Sequence, residues 1–317
     1  MTQNGPGRSH RKGISLLELT QLFPDEQSAI DWFESVFWAN GRKCPRCGGC
    51  NTYKPKSNSN KMPYRCRECK RYFSVKTGTV LESTKLPLQK WVWAIFLECI
   101  SLKGVSSMKL HRDLGIGQDS AWHMLHRIRE SLLPEIMNAF EGPIEVDETY
   151  IGGLEKNKHE DKKLNAGRGA VGKESVLGVK DRNTNKIIAK VIQDTTKPTI
   201  QEFVNEVRTK DSQVFTDDHT SYVGLSNHIS VNHSQKEWAV STALGEKAHT
   251  NGIESFWATL KRAYHGTYHQ VSKKHLNRYV SQFAGKHNIR DLDTIDQMAS
   301  VVKGMEGKRL KYKDLVG

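Results

Sequence analysis

Three acidic residues in the second half of the chain are placed to take part in metal-dependent chemistry. Asp147 lies in a strand-like run, Asp217 closes a second such run 70 residues later, and Glu254 opens a helix after another 37 residues. Carboxylates carried on strand, strand and helix in this way can gather around two divalent ions. Two such ions, about 3.5–4 Å apart, activate a water and stabilise the leaving oxygen when a phosphodiester is cleaved. We predict that Asp147 is shared by two Mg²⁺ (or Mn²⁺) ions and that Asp217 and Glu254 each complete one side.

A basic residue is predicted beside this site. Seven residues make nearly two helical turns, so Lys261 shares a face with Glu254. The polar stripe comprises Glu254, Ala258, Lys261 and His265, and it is separate from the apolar stripe of Ile253, Trp257, Leu260 and Tyr264. An ammonium group in this position can hold a DNA phosphate near the bond that is cleaved. We predict that Lys261 contacts DNA and takes part in catalysis.

The strand around Asp147 has two predicted faces. Because side chains alternate along a strand, Ile144 and Val146 face one side while Glu145 and Asp147 face the other. Glu145 and Glu148 are expected to be solvated or to support the metal ligands from behind.

Each of the three acids also has a structural interpretation. Glu254 follows Asn251 by three residues, as in a capping box that closes the start of a helix. Asp217 and its neighbour Asp218 can both be turn residues at the end of a strand. For any one acid alone the structural interpretation would be favoured, and it is their joint placement that favours the metal site.

Four of the six cysteines form two C-x-x-C pairs separated by 18 residues. The predicted zinc ligands are Cys44, Cys47, Cys66 and Cys69. The spacing is that of a zinc ribbon, and because the protein fills all four positions, one structural Zn²⁺ is predicted. Cys50 also makes a C-x-x-C pair with Cys47, but the Pro-Arg between Cys44 and Cys47 suits the tight turn, so Cys50 is interpreted as a spare. Cys99 lies in an apolar helical run and is predicted to be an inert core thiol.

Residues 87–138 predict a helical region that contains a DNA-reading pair of helices. A short helix, a turn at Ile116-Gly117 and a second helix follow one another, which is the helix-turn-helix outline. On the second helix, the residues predicted to face inward are Trp122, Leu125, Ile128 and Leu132. The residues predicted to face outward and to enter a major groove are His123, His126, Arg127 and Arg129. The alternative is an ordinary helical hairpin with a solvated basic face.

The composition indicates a protein whose partner is an extended polyanion. The 317 residues include 48 Lys and Arg against 35 Asp and Glu, which gives a formal net charge of +13. The pI is about 9.4 and the mean hydropathy is −0.62. The longest apolar run, residues 91–100, contains Glu98 and is too short to span a bilayer, and no secretory signal is predicted. A membrane protein, a secreted disulfide scaffold and a wholly disordered chain are therefore excluded.

Five segments are predicted along the chain. They are a helical lead-in (1–41), a zinc ribbon (42–82), a helix-turn-helix-like DNA-binding region (83–140), a mixed-sheet domain (141–292) and a loose basic tail (293–317). Strand-like runs interspersed with helices predict a mixed sheet with helices packed on it. In the lead-in, Pro24 separates two helical runs and Asp25 can cap the second. The Lys- and Gly-rich segment 154–175 is interpreted as a flexible hairpin loop that can order against DNA phosphates.

The motifs that carry these residues resemble a known family. VDETYIGG around Asp147, FTDDHTSY around Asp217 and HTNGIESFWATLKRAYHGTYHQVS around Glu254, preceded by CPRCG, resemble the IS1595 (ISXO2-like) DDE transposases of prokaryotic insertion sequences. The resemblance covers residues 15–290 and implies an α+β/α/β protein, with an N-terminal zinc ribbon and helix-turn-helix followed by an RNase H-like mixed-sheet catalytic domain. By motif, it implies that the three acids are catalytic and that Lys261 is the basic residue that accompanies them.

The resemblance also implies a reaction and partners. The protein is expected to bind the terminal inverted repeats of an insertion sequence, hydrolyse the phosphodiester at its ends, and join the resulting 3′-OH to target DNA. It is expected to act as a homodimer or higher oligomer on DNA, in the nucleoid of a prokaryotic cytoplasm. The competing class is a catalytically silent zinc-ribbon and helix-turn-helix DNA-binding protein derived from a transposase, which loss of any of the three acids would have favoured. A structure-specific repair nuclease is a third possibility.

Overall fold

Two compact units make up the chain. The computed structural model describes residues 11–56, 62–133, 140–153, 159–163, 171–231, 240–241 and 247–317. Unit 1 comprises Met1–Leu132 together with Ile289–Gly317, and unit 2 comprises Leu133–Asn288. Most of segment 154–175, predicted to be a loop, lies outside the described residues. In the part of the chain that is described, no helix has the length and hydrophobicity that crossing a bilayer requires.

Helices and strands occur in both units. The helices are α1 (Leu16–Leu22), α2 (Glu26–Phe37), α3 (Leu88–Ile100), α4 (Ser107–Leu114), α5 (Gln118–Ser131), α6 (Lys197–Val207), α7 (Asn251–Ala263), α8 (Lys273–Ile289), α9 (Thr294–Lys303) and α10 (Tyr312–Val316). The strands are β1 (Thr52–Tyr53), β2 (Tyr64–Cys66), β3 (Tyr72–Phe73), β4 (Ile144–Ile151), β5 (Glu174–Asp181), β6 (Ile187–Ile192), β7 (Val214–Asp217), β8 (His228–Val231), β9 (Val240–Ser241) and β10 (Lys247–Ala248).

In unit 1 the helices enclose one apolar core. Asp25 caps α2 as predicted, because its Oδ1 accepts a hydrogen bond of 2.8 Å from the Ser28 N–H. The core residues come from α1, α2, α3, α4, α5 and α9, and fully buried examples are Phe33, Trp91 and Val302. Cys99 lies partly buried against this core, as its apolar surroundings predicted.

The ribbon of unit 1 is a three-stranded antiparallel sheet in the order β1-β2-β3. One face of the sheet buries Tyr64 and Phe73, which pack edge-on against Trp38 at the end of α2, with ring centroids 5.4 and 6.1 Å from the Trp38 ring. The Tyr64 hydroxyl also donates to the Glu34 carboxylate at 2.8 Å. This apolar cluster is small, so the ribbon depends on a further source of stability.

The C-terminal segment is part of unit 1, and the expectation of a loose basic tail is wrong. It forms α9 and α10, and it buries Met305, Leu310 and Leu315. The Val80 N–H donates to the Met305 carbonyl at 3.1 Å, which ties the segment to the end of the ribbon. The many basic residues of the segment suggested a solvated tail. Long charged side chains can stay in water, however, while the apolar residues between them are buried.

The helical hairpin α4–α5 is present, but the predicted outward face of α5 is wrong. Gly115 ends α4 in the left-handed conformation with φ 55°, Ile116 is buried, and α5 begins two residues later. His126, Arg127 and Arg129, predicted to face outward, are only 0%, 8% and 2% exposed. His123 is half-buried.

Backbone carbonyls explain how a basic residue can be buried on α5. The Arg127 guanidinium donates to the Leu310 carbonyl at 3.1 Å and to the Glu82 carbonyl at 3.3 Å. A His123 ring nitrogen lies 3.2 Å from the same Leu310 carbonyl. Because α9 and the chain after it cover this side of α5, its exposed residues are confined to its first turn, Gln118–Ser120.

Unit 2 is built on a five-stranded mixed sheet in the order β6-β5-β4-β7-β8. The strands β4, β5 and β6 pair antiparallel, whereas β7 pairs parallel with both β4 and β8. The mixed sheet and the packed helices that the sequence predicts for this region are present. A two-stranded pair of β9 and β10 is added to them.

Helices cover both faces of the sheet. One face buries Ile144, Val146, Leu177 and Val179 against α6, and the other packs against α7 and α8. Asp147 and Glu145 lie on the α7 side, since each accepts a hydrogen bond from that helix. The predicted alternation of faces along β4 is therefore confirmed.

Candidate active site and zinc site

The register of the sheet brings Asp147 and Asp217 to the same level. β4 and β7 pair in parallel at Ile144↔Val214 and Glu145↔Phe215, an offset of 70 residues. The same offset separates Asp147 from Asp217, which lie just beyond the last paired residues. Neighbouring parallel strands point side chains at one level to the same face, so both carboxylates reach the same side of the sheet.

The third acid comes from the first turn of α7. Glu254 is exposed, and its Oε1 accepts a hydrogen bond of 2.8 Å from the Thr250 hydroxyl. Thr250 rather than Asn251 is the N-cap of α7, and it makes no side-chain cap hydrogen bond, so the capping-box interpretation of Glu254 is wrong. Lys261 is exposed on the same stripe, while the apolar stripe is buried as predicted.

Asp147 is in an environment that opposes its ionisation. Burial of its carboxyl group is the main cause that raises the pKa of Asp147 to about 8. The negative charges of Glu148, Asp217 and Glu254 act in the same direction. The three predicted acids are thus electrostatic neighbours in the folded chain.

This donor set fits hard divalent cations. Carboxylate oxygens are the ligands that Mg²⁺ and Mn²⁺ prefer, and a cation would offset the repulsion that Asp147 experiences. Within the described residues, only the ribbon cysteines place three or more ligand atoms within 4.8 Å of one another. Asp147, Asp217 and Glu254 are the residues that could hold such cations.

The Asp147 carboxylate is fixed by an indole. Trp257 lies one turn after Glu254 on α7, and its Nε1–H donates to Asp147 Oδ2 at 3.0 Å. Gly178, the cross-strand partner of Asp147 on β5, makes room for this ring. A Cβ atom at Gly178 would lie 2.6 Å from the Trp257 ring, which is closer than real contacts allow.

Glu145 joins β4 to the start of α7. It is 2% exposed, and its Oε2 accepts a hydrogen bond of 2.9 Å from the Ile253 N–H. Its Oε1 pairs with Arg182 Nε at 2.9 Å and lies 3.3 Å from a ring nitrogen of His249. The expectation that Glu145 is solvated is therefore wrong. Its hydrogen bond from the Ile253 N–H links β4 to the helix turn that carries Glu254.

Glu148 and Asp217 are also held by neighbours. The Tyr222 hydroxyl donates to the Glu148 carboxylate, and burial is the main cause that raises the pKa of Glu148. Asp217 Oδ1 accepts a hydrogen bond of 3.1 Å from the His219 N–H, so it makes the predicted turn contact as well as facing Asp147. Asp218 is exposed.

In the ribbon, the structure brings together the four cysteines that the spacing selected. The Sγ atoms of Cys44 and Cys69 lie 3.7 Å apart and those of Cys47 and Cys66 lie 3.6 Å apart. These separations are close to the edge of a tetrahedron with Zn–S bonds of about 2.3 Å, which is about 3.8 Å. Cys50 is exposed and lies outside the cluster.

The crowding of the thiols also fits a cation. A backbone hydrogen bond involving Gly49 favours the Cys47 thiolate, yet desolvation and the contacts of the other three cysteines raise the pKa of Cys47 to about 12. A bound metal cation would favour the thiolate form of Cys47 against these contacts. The residues present fit one tetrahedral Zn²⁺ with no position for a water.

Sequence reasoning missed the residues that support the acids. Trp257 was assigned only to the apolar stripe of α7, and Gly178 was not singled out. The signal for Trp257 was an indole three residues after Glu254, since a buried Trp needs a partner for its N–H. That Gly178 lies opposite Asp147 follows only from the register of β4 and β5, which the sequence alone does not give.

Comparison with known proteins finds matches for two segments of the chain. Residues 139–288 match the ISXO2-like transposase domain and residues 24–72 match the transposase zinc-ribbon domain. The first match contains all three acids, and the second contains all four clustered cysteines. Both segments are therefore similar to IS1595-type transposase domains, and the resemblance predicted from the motifs is confirmed.

A relative supports the same assignment over most of the chain. A protein described as an uncharacterized protein in the transposable element ISH50 of Halobacterium salinarum is 25% identical to this chain over 274 residues. The matched region covers 83% of this chain and 91% of the relative. The similarity is not confined to one motif, since it spans more than either domain match alone.

Proposed function

We propose that the protein is a DDE transposase that binds the terminal inverted repeats of an insertion sequence, cleaves the DNA at its ends and joins the 3′-OH to target DNA. The observation that carries this proposal is the convergence of Asp147, Asp217 and Glu254. Asp147 and Asp217 share one level of adjacent parallel strands, and the charges of Asp217 and Glu254 both raise the pKa of Asp147. The match of residues 139–288 to the ISXO2-like transposase domain supports the same chemistry.

The catalytic unit is best interpreted as RNase H-like. Three antiparallel strands are followed along the chain by a helix and two parallel strands, in the spatial order β6-β5-β4-β7-β8. This topology places the first acid on the central strand and the second on its parallel neighbour. Helices pack on both faces of the sheet, and Asp147 lies on the face that packs against α7.

The chain's own residues have separate roles in this proposal. When bound, two Mg²⁺ ions would supply an activated water and stabilisation of the leaving oxygen. Asp147 would be the ligand common to both ions, and Asp217 and Glu254 would each bind one of them. Lys261, exposed beyond Glu254 on the same helix face, contacts a phosphate near the scissile bond.

The reaction proceeds in two displacements at phosphorus. Water attacks the phosphodiester at the end of the element, the P–O3′ bond breaks, and the element is left with a 3′-OH. That hydroxyl then attacks a target phosphodiester and releases the target's own 3′-oxygen. Trp257 and Glu145 keep the first and third acids in place through both displacements.

Recognition of the element's ends is assigned to unit 1. We interpret α4 and α5 as a helix-turn-helix whose recognition helix presents its first turn, Gln118–Ser120, because recognition helices contact bases with their N-terminal residues. The burial of His126, Arg127 and Arg129 removes them from that surface. Two ends must be brought together for joining, which the proposal assigns to a dimer or higher oligomer formed on DNA.

Cleavage of labelled DNA carrying the element's own end tests the proposed function. With Mg²⁺ or Mn²⁺ the wild-type protein is expected to nick at the end of the element and leave a 3′-OH, whereas omission of divalent ions is expected to abolish the nick. Tight binding without cutting under every metal condition would contradict the proposal and favour a silent DNA-binding protein.

Trp257→Phe is expected to weaken Mn²⁺ binding about 10–100-fold, as loss of a partner that orients a metal ligand usually does. The substitution removes the indole N–H that holds Asp147 and keeps an aromatic ring in the apolar cluster. Mn²⁺ affinity is measured by electron paramagnetic resonance alongside the melting temperature.

Phe256→Leu is the matched control, because Phe256 is buried in the same cluster and its ring carries no hydrogen-bond donor. It is expected to lower stability and leave Mn²⁺ affinity unchanged. Equal losses of Mn²⁺ affinity in the two variants would show that packing, and not the indole N–H, determines the site.

A further inference from the structure

The outer face of the ribbon sheet carries a row of aromatic and basic side chains. Tyr53 on β1 lies directly opposite Arg65 on β2, and Arg65 lies directly opposite Tyr72 on β3. Residues paired in this way point to the same face of a sheet. Arg67 lies in the turn that follows β2, and its guanidinium lies over the ring of Tyr53 on this face. The opposite face is the buried one, with Tyr64 and Phe73.

The arginines of this row lie over the tyrosine rings. The guanidinium of Arg67 is 4.6 Å from the ring centroid of Tyr53, and that of Arg65 is 5.3 Å from the ring centroid of Tyr72. Arg65 Nε also donates to the Lys70 carbonyl at 3.1 Å, which uses one of its five N–H donors. Each planar guanidinium is therefore held in place by a ring before it meets any partner.

The ribbon also concentrates the positive charge of the protein. Residues 42–72 contain ten Lys and Arg and a single acid, Glu68. Four thiolates around one Zn²⁺ contribute a charge of −2, so the segment remains strongly positive with the metal bound. A partner for this face must carry dense negative charge, and the proposed function supplies one in DNA.

We propose that the ribbon face, formed by Tyr53, Arg65, Arg67 and Tyr72, binds the phosphate backbone of duplex DNA without reading its sequence. Guanidinium groups bind phosphate oxygens in a bidentate manner, and bracing by a ring reduces the freedom that each arginine loses on binding. The tyrosine faces are covered by arginines, so they brace these residues and do not stack on bases. This inference rests on the proposed function for its choice of DNA, but not on cleavage.

The salt dependence of binding tests the ribbon face. Fluorescence anisotropy of the full chain is measured without divalent ions, over a range of NaCl concentrations. The probes are two duplexes of about 30 base pairs, roughly three helical turns, one with the element's end and one with the same bases scrambled. For each phosphate that a variant fails to neutralise, the slope of log K against log[NaCl] is expected to become shallower by about 0.9.

Arg65→Gln and Arg67→Gln are each expected to produce this change on both duplexes equally, so that the ratio of the two affinities is unchanged. Tyr53→Leu leaves the charge unaltered and is expected to weaken binding about two- to fivefold, the equivalent of one cation–π interaction. Arg67→Lys is expected to restore most of the slope but not the full affinity, because a lysine lacks the planar fork. Zinc content confirms that each ribbon is folded.

Lys313→Gln is the control for net charge, since Lys313 is exposed on α10, outside the ribbon. It is expected to leave the slope within error of the wild type. If the salt-dependence slopes of Arg65→Gln and Arg67→Gln equal that of the wild type, the proposal that the ribbon face binds DNA is wrong. If these variants lose affinity only for the duplex with the element's end, the proposal that the ribbon face binds without reading sequence is wrong. Failure of the wild type to bind either duplex would instead contradict the proposed function.

Discussion

Asp217→Asn is expected to lower the rate of DNA cleavage about 10³-fold. Losses of this size are typical when one group that stabilises charge in the transition state is removed. Asp218→Asn is expected to leave the rate within about threefold of the wild type. The two residues are adjacent in sequence, but only Asp217 stands at the level of Asp147 across the parallel strands. Asp218 is exposed to solvent.

The cleavage rates of Asp217→Asn and Asp218→Asn are measured under single-turnover conditions on the element's end in Mg²⁺. The DNA affinity of each variant is measured as well. Each variant removes one negative charge from the same turn, so a general change in charge affects both alike. A large loss in Asp218→Asn with near-normal activity in Asp217→Asn would contradict the register argument and reassign the second acid.

Cys44→Ser is expected to release the bound zinc and to unfold the ribbon. Structural zinc sites contribute about 10 kcal/mol or more of folding free energy, and the ribbon's apolar cluster is too small to replace it. Cys44 is 1% exposed and belongs to the cluster of four cysteines. DNA binding is expected to weaken, whereas unit 2 retains its fold because it has apolar cores of its own.

Cys50→Ser is the control for this change. Cys50 is exposed and lies outside the cluster, so its replacement is expected to preserve one zinc per chain. Elemental analysis gives the zinc content, and limited proteolysis followed by mass spectrometry locates the region that unfolds. One zinc retained in Cys44→Ser and lost in Cys50→Ser would show that Cys47 and Cys50 form the first pair of ligands.

Local patterns predicted the elements of unit 2 because its strands and helices alternate in a simple way. On β4, Ile144 and Val146 are two residues apart and share a buried face. The apolar residues of α7 recur every third or fourth position and are buried together. The spacing of the two C-x-x-C pairs likewise predicted which four cysteines lie together in the ribbon. In each case a short-range sequence pattern was enough to predict which residues are buried or clustered.

The helix α5 shows where such patterns are insufficient. A helical pattern distinguishes two faces but does not reveal how many neighbours cover a helix, and α9 and the C-terminal segment pack on the side predicted to be solvated. The Arg127 guanidinium is buried because carbonyls at Leu310 and Glu82 accept its hydrogen bonds. These partners lie 183 and 45 residues away in sequence, beyond the reach of any local pattern.

The support of Asp147 also required the structure. Its hydrogen bond from Trp257 spans 110 residues and depends on a glycine opposite Asp147 on a third element. The sequence identified the acids from their motifs, whereas the contacts that position them follow from strand register. This explains why motifs could select the three acids as candidates but could not select the residues that contact them.

The most direct test of the central claim is metal-dependent cleavage of the element's end by wild-type protein beside Asp147→Asn, with DNA affinity measured on the same preparations. The substitution keeps the size of the side chain and removes the charge shared between the proposed ions. The wild type is expected to nick the end in Mg²⁺, while Asp147→Asn binds the same DNA with unchanged affinity and does not cut. Cleavage by Asp147→Asn at the wild-type rate, or equal loss of binding and cutting in a folded variant, would contradict the role assigned to Asp147.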